Sequence, residues 1–520
     1  MSDLGALLAE ARRAFTAGDL NTALQKSNAA LAIAPRDVNA LYLVATVKRA
    51  AGAPEEALAA YDAALAAAPQ AAPIQLSRAG LLHELGRNEE ALAGYDKAAV
   101  LGMQHPGLQF GRGAALFSLD RFGPALAAFD ACIAMDPGDA DAHYNRARSL
   151  QALDRLDDAL AAYNIALTLK PNDADALQNR AVLLQWLNRP EDSLRDFDAA
   201  LAQRPDDGPT LYSKGIALLA FGDYKRGWPL HEIRRRPGVL PSMRNHARGE
   251  PEWHGERLGG ALRIWPEQGI GDEVLFARLT LMARQRTDKI ILQCAPRLAP
   301  LFARSFADIE IRADDSVTPP PAAQIAAGSL GFALDIAASY LDGSPYLKAD
   351  QTRRDAIRAR YEALAEGRPI VGIAWISKNP LIGKHKSTSL HDWRALLARD
   401  YFFVNLQYGD VAEEIAAAER ELGHVIYSDP EIDQLADIDG FAGQIAALDR
   451  IVSVSNTTVH LAGALGVPCV VLVPPAQGLL WYWGASGERT PWYDSVRIVR
   501  RAQREGWADH VAKAATHVCL

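Results

Sequence analysis

Small side chains recur along the first half of the chain at a step of 34 residues: Ala23, Ala57, Ala91, Ala125, Ala159, Ser193 and Gly227. Aromatic residues keep the same step from the second unit on, at Tyr61, Tyr95, Phe129, Tyr163 and Phe197. Prolines follow it at Pro35, Pro69, Pro137, Pro171 and Pro205, with Met103 in the one missing place. Turn formers complete the period: Gly18, Gly52, Gly86, Asp120, Asp154, Asn188 and Gly222. A small residue lets two helices approach, an aromatic fills the gap between them, a turn former reverses the chain, and proline ends the second helix. The period therefore predicts seven helix pairs from Leu4 to about Pro237, the last irregular, stacked into a right-handed superhelix with a concave groove.

The pattern changes in the second half. Residues 237–258 carry prolines, glycines and charges without a period and read as a connector. Short apolar runs then alternate with amphipathic stretches. Strands are expected at Ala261–Trp265, Lys289–Gln293, Ile370–Trp375, Phe402–Gln407, His424–Tyr427, Arg450–Val454, Cys469–Val473 and Val496–Arg500. Helices are expected at Glu273–Arg286, 296–306, Thr352–Ala365, His391–Ala398, Val411–Leu422, Phe441–Leu448, Val459–Leu465 and Ala508–Thr516. Residues 313–327 and 377–391 read as loops. Strand–helix alternation predicts two parallel sheets, within 261–347 and 370–500, with a cleft at their strand carboxyl ends, where open α/β sheets bind ligands.

The chemistry concentrates at those ends. Between two buried strands, Ser455, Asn456, Thr457 and Thr458 open a short helix that carries His460 and is stopped by Gly466 and Pro468. A hydroxyl-rich turn at a helix start suits an anion, because free amides and the positive dipole end face it. Asn456 and Thr457 equally suit plain helix capping. Gly269-Ile270-Gly271 lies between a strand and a helix, followed by Asp272, which is a candidate general base or the cap of that helix. Glu267 is a second carboxylate nearby. Lys378, Lys384, His385 and Lys386 fall in one loop with Ser387 and Thr388, where an ammonium suits a phosphate oxygen. Trp481, Trp483, Trp492 and Tyr493 either shape a pocket or pack in the core.

Composition narrows the options. A net charge of −8 argues against a general nucleic-acid binder. Cys132, Cys294, Cys469 and Cys519 lie far apart, without metal or disulfide spacing, which suits a reducing cytoplasm. No basic and apolar leader opens the chain and no apolar run is long enough to span a bilayer.

The 34-residue period resembles the tetratricopeptide repeat. One groove position carries Ser77, Gly111, Asn145, Asn179 and Ser213. In the eukaryotic O-GlcNAc transferases, which this half resembles in architecture, asparagines there hold a peptide backbone. Asn145 and Asn179 are the matching candidates, with solvated groove positions as the alternative. The next position holds Arg78, Arg112, Arg146, Arg180 and Lys214, in step with Asp62, Asp96, Asp130 and Asp198, and suggests ion pairs between helices. In the second half, E-Q-G-I-G-D-E-V (Glu267–Val274), V-G-I-A-W (Val371–Trp375), G-K-H-K-S (Gly383–Ser387), N-L-Q (Asn405–Gln407), H-L-A-G-A-L-G-V-P (His460–Pro468) and P-W-Y (Pro491–Tyr493) occur together.

These motifs resemble bacterial tetratricopeptide-repeat glycosyltransferases with a heptosyltransferase-like GT-B domain, and most of all the flagellin glycosyltransferases. The resemblance implies an N-terminal α-solenoid over residues 1–236, a connector over 237–258, and two Rossmann-like lobes. The first, 259–350, is the acceptor side; the second, 351–520, is the nucleotide-sugar side, with its last helix a candidate to return to the first lobe. It implies a cytoplasmic, inverting, metal-independent protein O-glycosyltransferase that needs no cofactor beyond a nucleotide-sugar co-substrate, CMP-linked before UDP-linked. The implied sugar is a nonulosonic acid such as pseudaminic acid, moved to serine or threonine of flagellin held by the repeats. Asp272 is the implied base; Glu267, read from the residues alone, is a second candidate as base or orienter. Gly269, Gly271, Trp375, Lys378, Lys384, Lys386, Ser387, Ser455, Asn456, Thr457, Thr458 and His460 are the candidate donor contacts, with a packing role as the alternative for His460 and plain solvation as the alternative for the loop lysines. Many relatives carry aspartate where this chain has Asn456. The alternatives are a lipid or polysaccharide acceptor, or a scaffold without activity.

Overall fold

Left-handed turns set the spacing of the helical half. In the computed structural model, Gly18, Gly52, Gly86, Asp120, Asp154, Asn188 and Gly222 all have φ between 53° and 85°. Glycine, asparagine and aspartate tolerate that conformation best, which is why they hold this step. The structure describes residues 2–240, 245–247, 249–314, 320–380, 382–475, 478–502 and 504–518. The expected connector at 237–258 and loop at 313–327 extend beyond those ranges, and Cys519 lies outside them. Cys132, Cys294 and Cys469 are free and buried. Among the described residues no helix is long and apolar enough to cross a membrane.

The chain forms two compact units, residues 1–179 and 180–520. The first holds helix pairs running from Ser2–Thr16 with Leu20–Ile33 to Ala140–Ala152 with Leu156–Leu169. Ala23, Ala57, Ala91, Ala125 and Ala159 are fully buried where the helices cross, and Tyr61, Tyr95, Phe129 and Tyr163 fill the space beside them. The charged ladder forms inter-helix pairs: Arg78–Asp62 at 2.6 Å, Arg112–Asp96 at 2.7 Å and Arg146–Asp130 at 2.6 Å. These pairs are partly exposed and each contributes about 0–1 kcal/mol. Asn145 donates to the Asp141 carbonyl and accepts from Arg148, while Asn179 donates to the Tyr144 hydroxyl. Both carboxamides thus bond within the helical unit.

The repeat continues into the second unit through helices Pro190–Gln203, Gly208–Ala220 and Tyr224–His231. Here the ladder departs from its step. Asn164 stands where the preceding units have aspartate, so Arg180 pairs instead with Asp196 at 2.6 Å; Lys214 resumes the step by pairing with Asp198. The last helices pack with the α/β part, so the compact division falls at 179/180 and not at 236. Trp228 explains this: it is 1% exposed, its indole N–H donates to the Ile336 carbonyl, and its ring lies 5.5 Å from Trp481.

Two parallel sheets follow. The first contains β1 (Leu258–Trp265), β2 (Thr287–Gln293), β3 (Glu310–Arg312) and β4 (Ala323–Ala326), in the order β3-β2-β1-β4. β4 falls inside the expected loop 313–327; its four residues are too short to show a period, and the sheet alone recruits them. The second contains β5 (Ile370–Ala374), β6 (Phe402–Asn405), β7 (Ile426–Tyr427), β8 (Arg450–Val454), β9 (Cys469–Val473) and β10 (Val496–Arg500), in the order β10-β9-β8-β5-β6-β7. The final helix, Trp507–Ala515, packs Val511 and Ala514 into the cluster of Trp375, Trp393 and Val454 on the second sheet, and does not return to the first.

Replacing Trp228 by alanine removes both the ring packing and the bond to Ile336. The expected loss is about 3–5 kcal/mol, read as a lower urea midpoint of the α/β transition by tryptophan fluorescence or circular dichroism.

Candidate functional site

Each sheet begins at its own switch point. β1 has β2 on one side and β4 on the other; β5 has β6 on one side and β8 on the other. Loops leaving such neighbours diverge and open a crevice at the carboxyl ends. A cavity of about 430 Å³ lies there, within the range of ligand pockets, about 300–1,000 Å³. Its wall comes from the β1 exit (Glu267 to Asp272), the β5 exit (Ser377, Lys378, Asn379), Lys386, Tyr408 after β6, and the β8 exit (Ser455, Asn456, Thr457) with His460.

Two helix starts meet at this wall. Helix Ile270–Ala283 begins after Gly269, which makes no side-chain cap, and helix Thr457–Leu465 begins after Asn456. The expected start of the first helix at Glu273 is three residues late, so Asp272 sits in its first turn and is not its cap residue. A Cβ on Gly271 would stand 3.1 Å from the His460 ring and 3.6 Å from Thr457 Oγ1. Glycine at 271 therefore serves the close approach of the two helices.

Lys386 and Asp272 dominate the electrostatics. The Lys386 side chain is only 3% exposed, and among the described residues its ammonium forms no ion pair or hydrogen bond. Burial lowers its pKa to about 8, opposed by the nearby Asp272. Burial raises the Asp272 carboxyl to about 6, against the lowering effects of a backbone hydrogen bond from Gly269 and of Lys386. A carboxylate able to take a proton near neutrality thus shares a cavity with a cation that has no partner of its own.

Lys384 does not reach the cavity. Gly383–Lys386 forms a single helical turn, and residues two apart on a turn face different ways, so Lys384 is exposed while Lys386 points inward. Ser387 closes that turn: its hydroxyl donates to the Gly383 carbonyl and accepts from the Ser377 N–H, away from the cavity lining. Trp375 also misses the site. Strand alternation carries it to the face of Val371 and Ile373, where it is fully buried against Trp393. Thr458 is fully buried under its helix start, outside the lining, and its N–H donates to Asn456 Oδ1. Lys378 lines the cavity and is exposed.

The remaining candidates do line the cavity, several with structural duties. Asn456 Oδ1 accepts from Ser453 and Thr458, while its amide donates to the Ile376 carbonyl at 3.3 Å. That last bond ties the β8 exit to the β5 exit, and a carboxylate has no hydrogen to make it. Gln407 pins the same exit by accepting from the Trp375 and Ile376 N–H groups. His460 bonds Tyr493 at 3.0 Å and Tyr482 at 3.2 Å and stacks 5.5 Å from Trp483. Burial and the Lys386 charge hold its pKa down to about 3, so it stays neutral and braces the aromatic cluster. Ser455 accepts from the Trp483 indole N–H. Trp483 and Trp492 are core residues, whereas Trp481 and Tyr482 reach the lining.

Glu267 faces the cavity but both its oxygens are engaged. Arg234 Nη2 donates to each at 2.9 Å and the Gly328 N–H donates to Oε2 at 2.8 Å. Arg234 opens the run Arg234-Arg235-Arg236 and lies in the last turn of the short helix Glu232–Arg235, where it is 1% exposed. Arg234, Tyr212 and His231 are cavity residues that the sequence motifs do not mark. One signal was present: His231 falls 34 residues after Phe197, on the aromatic step.

A family model for the tetratricopeptide repeat matches residues 45–106 and 110–174. Protein FlbA of Caulobacter vibrioides is 34% identical over 322 residues, covering 58% of this chain and 53% of FlbA. The chain thus spans about half the length of that curated relative. Among solved structures, YrrB, described as a tetratricopeptide-repeat protein with an unusual peptide-binding site, is 24% identical, covering 36% of this chain and 97% of YrrB, with a TM-score of 0.33. A repeat protein from Parabacteroides merdae is 21% identical, covering 46% of this chain and 95% of its own, with a TM-score of 0.39.

Replacing Glu267 by alanine leaves Arg234 buried with only Glu232 as a carboxylate partner. The expected loss is about 3 kcal/mol, the low end for breaking a buried pair. A second change, Arg234→Met, restores most of it in a double-mutant cycle by urea unfolding.

Proposed function

We propose that this protein transfers a sugar from a nucleotide-sugar donor to a serine or threonine hydroxyl of a protein acceptor. The α/β part acts as a GT-B-type catalytic domain, and the tetratricopeptide repeats recruit the polypeptide. The observation that carries this is the pairing, in one cavity, of the buried unpaired ammonium of Lys386 with the proton-accepting carboxylate of Asp272. The first suits a departing phosphate; the second suits an attacking alcohol.

In this mechanism the acceptor oxygen attacks the anomeric carbon and forms the new C–O bond. The bond from that carbon to the donor phosphate oxygen breaks, and its electron pair leaves with the phosphate. Asp272 takes the hydroxyl proton. A single displacement inverts the anomeric centre. Lys386 and the amides at the starts of helices Ile270–Ala283 and Thr457–Leu465 stabilise the growing charge on the leaving group. Lys378, exposed at the rim, is a second cation for the donor. The motif resemblance favours a CMP-linked nonulosonic acid such as pseudaminic acid as donor and flagellin as acceptor, in the cytoplasm.

Titration of CMP, UDP, GDP and ADP by calorimetry is expected to show binding, strongest for one of the first two. Asp272→Asn is expected to keep that affinity and to lower transfer by about 10²–10⁴-fold. Flagellin recovered unmodified with wild-type enzyme and each candidate donor overturns the acceptor assignment; absence of nucleotide binding overturns the transferase itself.

The same two groups set the pH profile. Below about 6 Asp272 is protonated and cannot accept a proton; above about 8 Lys386 loses its charge. The kcat/KM of the free enzyme is therefore expected to fall on both sides of that window, and Lys386→Arg to move the alkaline limb upward because arginine stays charged. A profile flat from pH 5 to 9 contradicts the assignment.

A further inference from the structure

The last helix pair of the repeat does more than carry the α/β part. Tyr212 on helix Gly208–Ala220 and His231 at the end of helix Tyr224–His231 both line the cavity of Asp272. Their rings lie 6.0 Å apart. The pair occupies the repeat position that in earlier units holds Tyr42–Tyr61 at 5.9 Å, Phe110–Phe129 at 5.8 Å and Tyr144–Tyr163 at 6.1 Å. The final unit thus presents to the cavity the aromatic pair that the others use between their helices.

The chemistry of this wall differs from that around Lys386. The Arg234 charge is matched by Glu267 and Glu232, and Arg234 also donates to His231 Nδ1, which fixes that ring. The wall therefore carries carboxylates, a phenol and no unpaired cation, which disfavours a phosphate. The Tyr212 hydroxyl lies within electrostatic reach of Asp272 and makes no hydrogen bond among the described residues. The residue is half-buried and lines the cavity, and an aromatic ring with a polar tip suits contact with an incoming group.

We infer that Tyr212, braced by His231, forms the acceptor subsite, where it stacks on the polypeptide segment that carries the attacking hydroxyl and orients that hydroxyl toward Asp272. The substrate class is an extended, flexible peptide segment, and the last repeat unit is part of the reaction site. The inference rests on the transferase function proposed above.

The test separates the acceptor from the donor. The full-length protein is assayed with CMP-pseudaminic acid for transfer to unmodified flagellin, and without flagellin for CMP release to water. Tyr212→Ala is expected to raise the KM for flagellin about tenfold, as for an aromatic anchor, with CMP affinity and CMP release to water unchanged. Tyr212→Phe, which keeps the stacking face, is expected to restore most of the loss. Equal falls in transfer and in CMP release for Tyr212→Ala, or wild-type KM in both variants, overturn the subsite while the transferase stands. Wild-type protein that neither binds CMP nor releases it overturns the transferase, and the subsite with it.

Discussion

A guanidinium can be buried only if its charge is met, and the meeting of Arg234 with Glu267 organises the second unit. Arg234 ends the repeat; Glu267 follows β1 at the switch point of the first sheet. The pair, with Ser329 and the Gly328 amide closing around it, fastens the last helices to the loop that presents Asp272. Stripping water from such a pair is expensive, and only converging hydrogen bonds offset it. That convergence explains why the last repeat helices belong to the α/β part.

With that loop held, the remaining features follow from sheet topology. Parallel strands point their exits the same way, and helices that start after them turn their positive dipole ends toward the same space. Close contact at Gly271 brings two such ends together. A field of this kind favours an anion, and Lys386 adds a full charge. Asp272 lies in that field, yet burial outweighs it and raises its pKa to about 6. A guanidinium holds the Glu267 carboxylate, and among the described residues none pairs with Asp272.

Asn456 shows how a departure from a motif can be structural. Its amide donates to a carbonyl at the end of β5 while its oxygen caps the next helix. An aspartate keeps the cap and loses the cross-strand bond. The asparagine therefore ties two strand exits, with Gln407 holding the same exit from the other side.

The helical half was legible from residue types alone, because its interactions are local. Small residues at crossings, aromatics beside them and left-handed turns act within one repeat, and the 34-residue step records all three. β5, β8, β9 and β10 were legible for the same reason: a buried parallel strand is a short apolar run. Asp272 and Thr457 could be placed at strand ends, since a strand–turn–helix junction is also local. What the sequence did not determine is which way a side chain in that loop points. Lys384 and Lys386 are alike in type and neighbourhood, and a single helical turn sends one to solvent and the other inward. Nor did it pair Arg234 with Glu267, or bring Tyr212 and His231 to the wall, because those contacts join segments that only the packed core holds together. Orientation and long-range charge matching are properties of the tertiary structure; period and polarity are properties of the chain.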